Sequence, residues 1–188
     1  MSMQLVLDVD QTLLFSFPSY RDAFRRPVNV RPDATIRLSE KDTYDLYLRP
    51  DIDLLRDIPF IILSTGGSRY VREVADVLAQ KGFPVEVAYD AGHLPTSGDP
   101  KPPITEAPAL LIDDLETNLA GVSMKLAVLP RGVHCRVDAW TEVGLPRPEE
   151  RRPGETFKEW VKRPRSTILE LVRSGDSVPL GDCLRRYS

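Results

Sequence analysis

The chain has 188 residues, of which 41% are apolar and 28% are charged, and its formal net charge is −3 at pH 7. These totals are typical of a globular protein with one domain and a sizeable core, and the charge does not indicate a nucleic-acid partner. No apolar run approaches the length of a membrane span, and no basic and apolar leader opens the sequence. We therefore expect a soluble, cytoplasmic protein with no membrane partner.

A short apolar strand near the start of the chain is followed at once by two acids. Leu5–Leu7 shows no polar alternation, which is typical of a parallel strand buried on both faces. Asp8 and Asp10 come directly after it. Buried unpaired carboxylates are costly, and ligands bind at the carboxyl ends of the strands in open α/β sheets. The pattern favours a pair of catalytic carboxylates, although an Asp-rich turn is the simpler alternative.

An insertion follows at residues 15–48. Thr35–Leu38 and Tyr44–Leu48 alternate apolar and polar side chains around a polar turn, which predicts a β-hairpin flap. The start of the insertion interleaves aromatic residues with arginines, namely Phe15, Phe17, Tyr20 and Phe24 with Arg21, Arg25 and Arg26. Arginines attract phosphates and aromatic rings stack on unpaired bases, so this stretch is a candidate substrate-binding surface. The alternative is an aromatic cluster that anchors the flap and leaves its arginines outward.

Beyond the insertion, strands and helices alternate at short intervals. Further strands are predicted at 59–63, 85–89, 109–112 and 125–129. Helices are predicted near 51–55, from Tyr70 to a stop at Gly82, and at 115–122. The alternation predicts an α/β fold, with a doubly wound, parallel, five-stranded Rossmann-like sheet.

The pattern breaks at residue 144, where a proline-rich and charged stretch indicates a linker. Two amphipathic helices are predicted beyond it, around Phe157–Val161 and Ile168–Val172. We expect residues 144–188 to form a helical appendage packed on a catalytic domain of residues 1–143. The only cysteines, Cys135 and Cys183, form no C-x-x-C pattern, and a disulfide between them is not expected in a reducing compartment.

Two further segments point to the edge of the sheet that carries Asp8. Ser64-Thr65-Gly66 ends the second predicted strand, where a hydroxyl and backbone N–H groups at a helix N-terminus bind phosphate well. Taken alone, this segment is more simply explained as a helix cap. Lys101 lies in a Pro- and Gly-rich loop, the only lysine between Lys81 and Lys125.

Asp113 and Asp114 close another apolar strand. Carboxylates that meet Asp8 and Asp10 at one edge of a sheet repel one another and are driven to take up protons. A lysine and a hard divalent cation would relieve this repulsion. Carboxylate oxygens, retained waters and substrate phosphate are ligands that suit Mg²⁺.

The order of these features resembles the motifs of the haloacid dehalogenase (HAD) superfamily. Asp8-x-Asp10-x-Thr12 is similar to its first motif, and Ser64, Lys101 and Asp113-Asp114 follow in the expected order, so that the resemblance covers residues 4–129. Arg49-Pro50, together with Ser64-Thr65-Gly66 and Tyr70, further resembles the branch that contains the carboxy-terminal-domain phosphatases.

The resemblance implies a Mg²⁺-dependent phosphomonoester hydrolase. Asp8 would form an aspartyl-phosphate and Asp10 would be the general acid and base. The implied phosphate-binding residues are Ser64, Thr65, Gly66 and Lys101, of which Ser64 and Lys101 also count as catalytic. The implied metal ligands are Asp8, Asp10 through its backbone carbonyl, Asp113 and Asp114. Thr12 and Asn118 would orient the loop and the acidic motif.

Neither gap between these motifs has room for a folded cap domain. An open site suits a phosphate on a macromolecule, either a nucleic-acid end or a phosphoprotein, and a nucleotide is the small-molecule rival. The alternatives from another class are a receiver-type phospho-acceptor, whose acid pairs follow the opposite order, and an inactive HAD-fold binding module.

Overall fold

A computed structural model describes residues 3–20, 27, 30–121, 123–129, 131–143, 151–163 and 167–187. Its strands are β1 (Gln4–Leu7), β2 (Leu14–Pro18), β3 (Ala34–Arg37), β4 (Thr43–Leu48), β5 (Phe60–Leu63), β6 (Val85–Tyr89), β7 (Ala109–Asp113), β8 (Gly132–Arg136), β9 (Ala139–Val143) and β10 (Ile168–Val172). Its helices are α1 (Ser68–Gln80), α2 (Glu116–Leu119), α3 (Met124–Ala127), α4 (Phe157–Lys162) and α5 (Leu180–Leu184). Within this described part, no helix is long and apolar enough to cross a membrane.

The central element is an all-parallel sheet of five strands in the order β6-β5-β1-β7-β8. Alternate side chains of a strand point to opposite faces of its sheet, and the middle strand β1 is buried on both faces. Leu5 and Leu7 join a core with Val71, Val74 and Leu78 of α1, whereas Val6 joins a second core on the other face, with Leu119 and Val128. The prediction of an α/β fold with a parallel, five-stranded, Rossmann-like sheet is confirmed.

The last strand of this sheet was predicted at residues 125–129, which is wrong. Ser123 caps the short helix α3 there, and its side chain accepts a hydrogen bond from the backbone N–H of Lys125. The edge strand is β8, which starts seven residues later at Gly132. A Cβ atom at Gly132 would lie 1.8 Å from the carbonyl oxygen of Ala109, so only glycine fits where β8 begins beside β7.

The insertion is a three-stranded antiparallel sheet in the order β2-β4-β3. It contains the predicted hairpin as β3 and β4, and β2 is an additional strand that the sequence did not indicate. Phe15 and Phe17 on β2 are buried against Tyr47 and Trp140, which favours the anchoring alternative for these two rings. Tyr20 is exposed, and Phe24 and the three arginines proposed to contact substrate lie outside the described residues.

The second predicted C-terminal helix is a strand. β10 pairs with β9 in antiparallel register, with Leu171 opposite Trp140. Its side chains alternate, since Ile168 is exposed and Leu169 is buried, and this period of two is that of a strand. The first predicted helix is present as α4, whose N-terminus is closed by a capping box of Thr156 and Glu159. The predicted linker at 144–150 lies outside the described residues.

Cys135 on β8 and Cys183 on α5 form a disulfide, so the expectation that they stay unpaired is wrong. Both side chains are buried, and their Cα atoms are 5.6 Å apart, within the range that a disulfide spans. The expectation depended on the predicted compartment, whereas the pairing follows from α5 packing against the edge strand of the sheet.

Candidate functional site

The site lies at the carboxyl ends of β1 and β7, two neighbouring strands. Between them, the direction in which the chain adds strands to the sheet reverses. β5 and β6 lie on one side of β1, and β7 and β8 lie on the other. This is the topological switch point at which open α/β sheets bind ligands. Leu7 is level with Ile112, and the backbone N–H of Asp8 donates to the carbonyl of Ile112 at 3.0 Å, so Asp8 and Asp113 lie side by side.

Three carboxylates are buried together at this edge: Asp8, Asp113 and Asp114. One oxygen atom from each lies within 4.8 Å of the others, which is close enough for one metal ion to bind all three. Grouped carboxylates in a low-dielectric environment are strongly unfavourable without a compensating positive charge.

Lys125 supplies one such charge. Its Nζ atom donates to Oδ1 of Asp8 at 2.5 Å and to Oδ2 of Asp113 at 2.6 Å, and its side chain is 1% exposed. The predicted lysine, Lys101, is instead part-exposed and pairs with Asp99 at 2.9 Å. The lysine of the cluster is therefore Lys125, because α3 turns its first residues toward the ends of β1 and β7 and the loop of Lys101 does not.

The protonation of the cluster reflects its burial. Burial raises the pKa of Asp8, and the neighbouring Asp113 raises it further, while Lys125 opposes both effects. Burial, together with the charge of Asp113, raises the pKa of Asp114 to about 6. Burial lowers the pKa of Lys125, but the carboxylates of Asp8 and Asp113 outweigh that effect and raise it overall. One lysine therefore does not compensate three buried carboxylates, and a cation would be favoured there.

The two residues predicted to orient the site both reach the cluster. Nδ2 of Asn118 lies 3.0 Å from each carboxylate oxygen of Asp113, and the backbone N–H of Leu115 donates to the same group at 2.9 Å. The Oγ1 atom of Thr12 lies 3.5 Å from Asp8 and 3.4 Å from Asp114. These contacts fix the directions in which the three carboxylates point.

Asp10 lies beside the cluster and not within it. Its Oδ1 atom accepts hydrogen bonds from the Tyr70 hydroxyl at 2.6 Å and from Oγ of Ser16 at 3.2 Å. Burial raises the pKa of Asp10, while these two donors oppose the increase. Asp10 faces a cleft of about 720 Å³ between the three-stranded sheet and the N-terminus of α1, whose walls include Leu38 and Tyr44.

Ser64 is buried at the end of β5, one strand from Asp8. Its Oγ atom accepts a hydrogen bond from the backbone N–H of Gly66 at 3.0 Å. The N-cap of α1 is Gly67, so neither Ser64 nor Thr65 caps this helix. The simpler explanation of the segment as a helix cap is therefore wrong, because the hydroxyl of Ser64 bonds to Gly66 and not to the first turn of α1.

The loop that carries the first two acids is held from outside the central sheet. Gln11 has a φ of 65°, an uncommon conformation for a residue with a side chain, and its carbonyl accepts from the backbone N–H of Trp140 at 2.7 Å. The buried guanidinium of Arg49 donates to the carbonyls of Thr12 at 3.3 Å and Asp138 at 2.5 Å. The C-terminal strands thus brace the site loop through β9.

The sequence matches no protein-family model and no curated protein. The geometry of the site is a buried triad of aspartates able to hold a metal ion, with a lysine and a further aspartate at its side.

Sequence reasoning missed three residues that the structure brings to the site: Lys125, Tyr70 as a partner of Asp10, and Arg49 beneath the loop. A signal for Lys125 was present, since it is the only charged residue in the apolar stretch 124–129. Such a lysine on a short helix needs a buried partner.

Proposed function

We propose that this chain is a Mg²⁺-dependent phosphomonoester hydrolase of the HAD type. The observation that carries the proposal is the contact of Lys125 with both Asp8 and Asp113, in one buried cluster with Asp114 at the switch point of the sheet. A purely structural cluster of this size would destabilise the fold, because the desolvation of buried charged groups is offset only when all of them are paired. Among the described residues, the carboxylate of Asp114 makes no ion pair of the kind that Lys125 makes with Asp8 and Asp113, and this supports a metal ion as a further positive charge.

The donor set fits Mg²⁺. Asp8, Asp113 and Asp114 offer only oxygen atoms, which are the ligands that hard divalent cations prefer. When bound, Mg²⁺ would neutralise charge on the oxygens of a transferring phosphoryl group. Thr12 and Asn118 would keep the three carboxylates oriented toward it.

Asp8 is the proposed nucleophile. One of its carboxylate oxygens attacks phosphorus, the ester bond between phosphorus and the leaving oxygen breaks, and an aspartyl-phosphate forms. Lys125 would take the position first assigned to Lys101 and stabilise negative charge on the phosphoryl oxygens. Ser64, with the backbone N–H of Thr65, would hold the same oxygens from the neighbouring strand. The N–H of Gly66, which the sequence also assigned to phosphate binding, donates to Oγ of Ser64 instead.

Asp10 is the proposed general acid and base. It gives a proton to the leaving oxygen in the first step and takes a proton from the attacking water in the second step, which releases phosphate and restores Asp8. Its position supports these roles, because it lies two residues from Asp8 and faces the cleft in which a leaving group would lie.

The proposed substrate is a phosphoester on a macromolecule, either a nucleic-acid end or a phosphoprotein, and a mononucleotide is the rival. In the described part of the chain, a three-stranded sheet and a short 3₁₀ turn lie between Asp10 and β5, and α1, β6 and a loop lie between Ser64 and β7. None of these described elements forms a separate folded cap, and this supports a large substrate. A panel of 3′- and 5′-phosphorylated oligonucleotides, phosphopeptides and mononucleotides would decide; far higher kcat/KM on mononucleotides would contradict the macromolecular substrate.

Hydrolysis of p-nitrophenyl phosphate tests the proposed activity itself. The protein is expected to release nitrophenol in the presence of Mg²⁺, to stop when EDTA is added, and to recover when Mg²⁺ is restored, because the carboxylate triad is incomplete without its cation. Turnover that EDTA does not affect would contradict the metal-dependent mechanism. Mg²⁺ binding without turnover of any substrate in the panel would favour the inactive binding module.

Mg²⁺ is expected to stabilise the fold more strongly as the pH rises. The pKa of Asp114 is raised to about 6 and that of Asp8 is also raised, so between about pH 4 and pH 8 the folded metal-free protein binds more protons than the unfolded chain. The stability of the metal-free protein therefore falls as pH rises through this window. Metal binding requires deprotonated ligands, so the affinity for Mg²⁺ should rise over the same window.

Thermal unfolding with and without Mg²⁺ measures this effect. The increase in Tm caused by Mg²⁺ should be small near pH 5 and several times larger near pH 8. Asp114→Asn removes one ligand and should shrink the increase at the higher pH. An increase that is equal at both pH values would argue against a site made of these carboxylates.

A further inference from the structure

Tyr70 makes a short contact with the proposed acid–base residue. Its hydroxyl lies 2.6 Å from Oδ1 of Asp10, and Oγ of Ser16 lies 3.2 Å from the same oxygen. A hydroxyl next to a carboxylate oxygen acts as the donor, so both bonds run toward Oδ1. Neither of these two bonds reaches Oδ2 of Asp10, which makes Oδ2 the candidate oxygen for proton transfer to a reacting group.

We propose that Tyr70 is a positioning residue that holds Asp10 with Oδ2 directed at the leaving oxygen of the substrate. The inference depends on the proposed function, because it assumes that Asp10 transfers the proton in the cleavage step. Without these donors, the carboxylate of Asp10 could rotate about its Cβ–Cγ bond and present either oxygen. With two donors on Oδ1, rotation costs the loss of two hydrogen bonds.

The ring of Tyr70 is itself fixed by packing. It lies on the first turn of α1, with its centroid 5.6 Å from that of Tyr44 across the cleft wall. It also packs over Gly66, where a Cβ atom would lie 3.0 Å from the ring. The position of the hydroxyl is therefore determined by the scaffold, on which functional groups are held more accurately than on loops.

The geometry confines Tyr70 to orienting Asp10. Its hydroxyl is directed at Oδ1 of Asp10, 2.6 Å away, so its proton lies on the hydrogen bond to that carboxylate. This distinguishes Tyr70 from a second general acid.

Tyr70→Phe keeps the ring and removes only the hydroxyl. Positioning of an acid matters most when the leaving group is poor, since an alkoxide needs protonation and nitrophenolate does not. With Mg²⁺ present, we expect kcat/KM on an alkyl phosphate such as ethyl phosphate to fall by about 10- to 100-fold, and kcat/KM on p-nitrophenyl phosphate to fall by less than about 3-fold. We compare kcat/KM because it reports the cleavage step and not the hydrolysis of the aspartyl-phosphate, which both substrates share.

Tyr89→Phe is the matched control. It removes a hydroxyl that contacts the carbonyl of Ile104 at 3.5 Å, and its side chain does not line the cleft that Asp10 faces. It should leave the ratio of kcat/KM on the two substrates unchanged. Ser16→Ala removes the weaker donor and should change this ratio in the same direction as Tyr70→Phe, but less.

The coupling to Asp10 is tested in an Asp10→Asn background. There, Tyr70→Phe should cause no further loss that depends on the leaving group, since the acid is already absent. Equal losses on the two substrates for Tyr70→Phe, or an undiminished effect in the Asp10→Asn background, would overturn the inference. Failure of the wild-type protein to hydrolyse either substrate would instead contradict the proposed function.

Discussion

Asp8→Asn is expected to lower Mg²⁺-dependent kcat by about 10⁴-fold or more. Asparagine has nearly the shape of aspartate but lacks the negative oxygen that attacks phosphorus, so no aspartyl-phosphate can form. The loss should be equally large on p-nitrophenyl phosphate and on alkyl phosphates, because nucleophilic attack is required for both. Steady-state rates on the two substrates measure it.

The fold should survive this substitution. Asp8 is buried and its pKa is raised by burial, so a neutral side chain removes charge repulsion with Asp113 and leaves Tm of the metal-free protein unchanged or higher. Lys125 keeps its second partner, Asp113, at 2.6 Å. Appreciable Mg²⁺-dependent turnover by a folded Asp8→Asn protein would exclude Asp8 as the nucleophile.

Lys125→Met should be damaging in two separate ways. It removes a buried cation between two carboxylates, and breaking such a pair typically costs about 3–5 kcal/mol of unfolding free energy. It also removes the donor that we propose for the phosphoryl oxygens, and this loss should lower kcat by about 10²- to 10³-fold. Mg²⁺ should restore much of the lost stability without restoring the rate, because it supplies charge to the carboxylates but no substitute for the lysine.

Lys101→Met is the matched control for that variant. Lys101 and its partner Asp99 are both partly exposed, and such surface pairs contribute about 0–1 kcal/mol. This variant should retain both stability and turnover. If Lys101→Met lost activity and Lys125→Met kept it, the original assignment from the sequence would be right and the assignment from the structure would be wrong.

The carboxylates of the site could be predicted because each follows a buried apolar strand. Asp8 and Asp113 end strands that are adjacent in the parallel sheet, and the carboxyl ends of such strands share one edge. A site able to bind a cation was predicted from the same residues, since grouped carboxylates favour a positive charge between them. These inferences needed only the strand periodicity and the position of the acids.

The lysine that contacts the carboxylates could not be predicted in the same way. Its identity depends on the path of the chain between β7 and β8. The apolar stretch around Lys125 is as compatible with a strand as with the short helix α3. Periodicity does not distinguish the two over so few residues. The strand β10 was also wrongly predicted as a helix. It has only five residues, and the pairing with β9 that stabilises it is non-local and cannot be read from its own sequence.

The contacts of Tyr70 and Arg49 depend on tertiary structure still more. Tyr70 reaches an oxygen 60 residues away in the sequence, and Arg49 reaches carbonyls of Thr12 and Asp138 on two different segments. Both residues were noticed only as part of a family-like pattern. Their partners become visible once the three-stranded sheet and β9 are packed against the central sheet.

Chemical trapping of the phosphorylated protein tests the central claim most directly. An acyl phosphate on an aspartate is reduced by borohydride to homoserine, and mass spectrometry of peptides then locates the modified position. Wild-type protein quenched during turnover with Mg²⁺ should yield homoserine at position 8, and the yield should disappear with EDTA and in Asp8→Asn. Steady turnover with no trapped product at position 8, or with homoserine at another aspartate, would contradict Asp8 as the nucleophile.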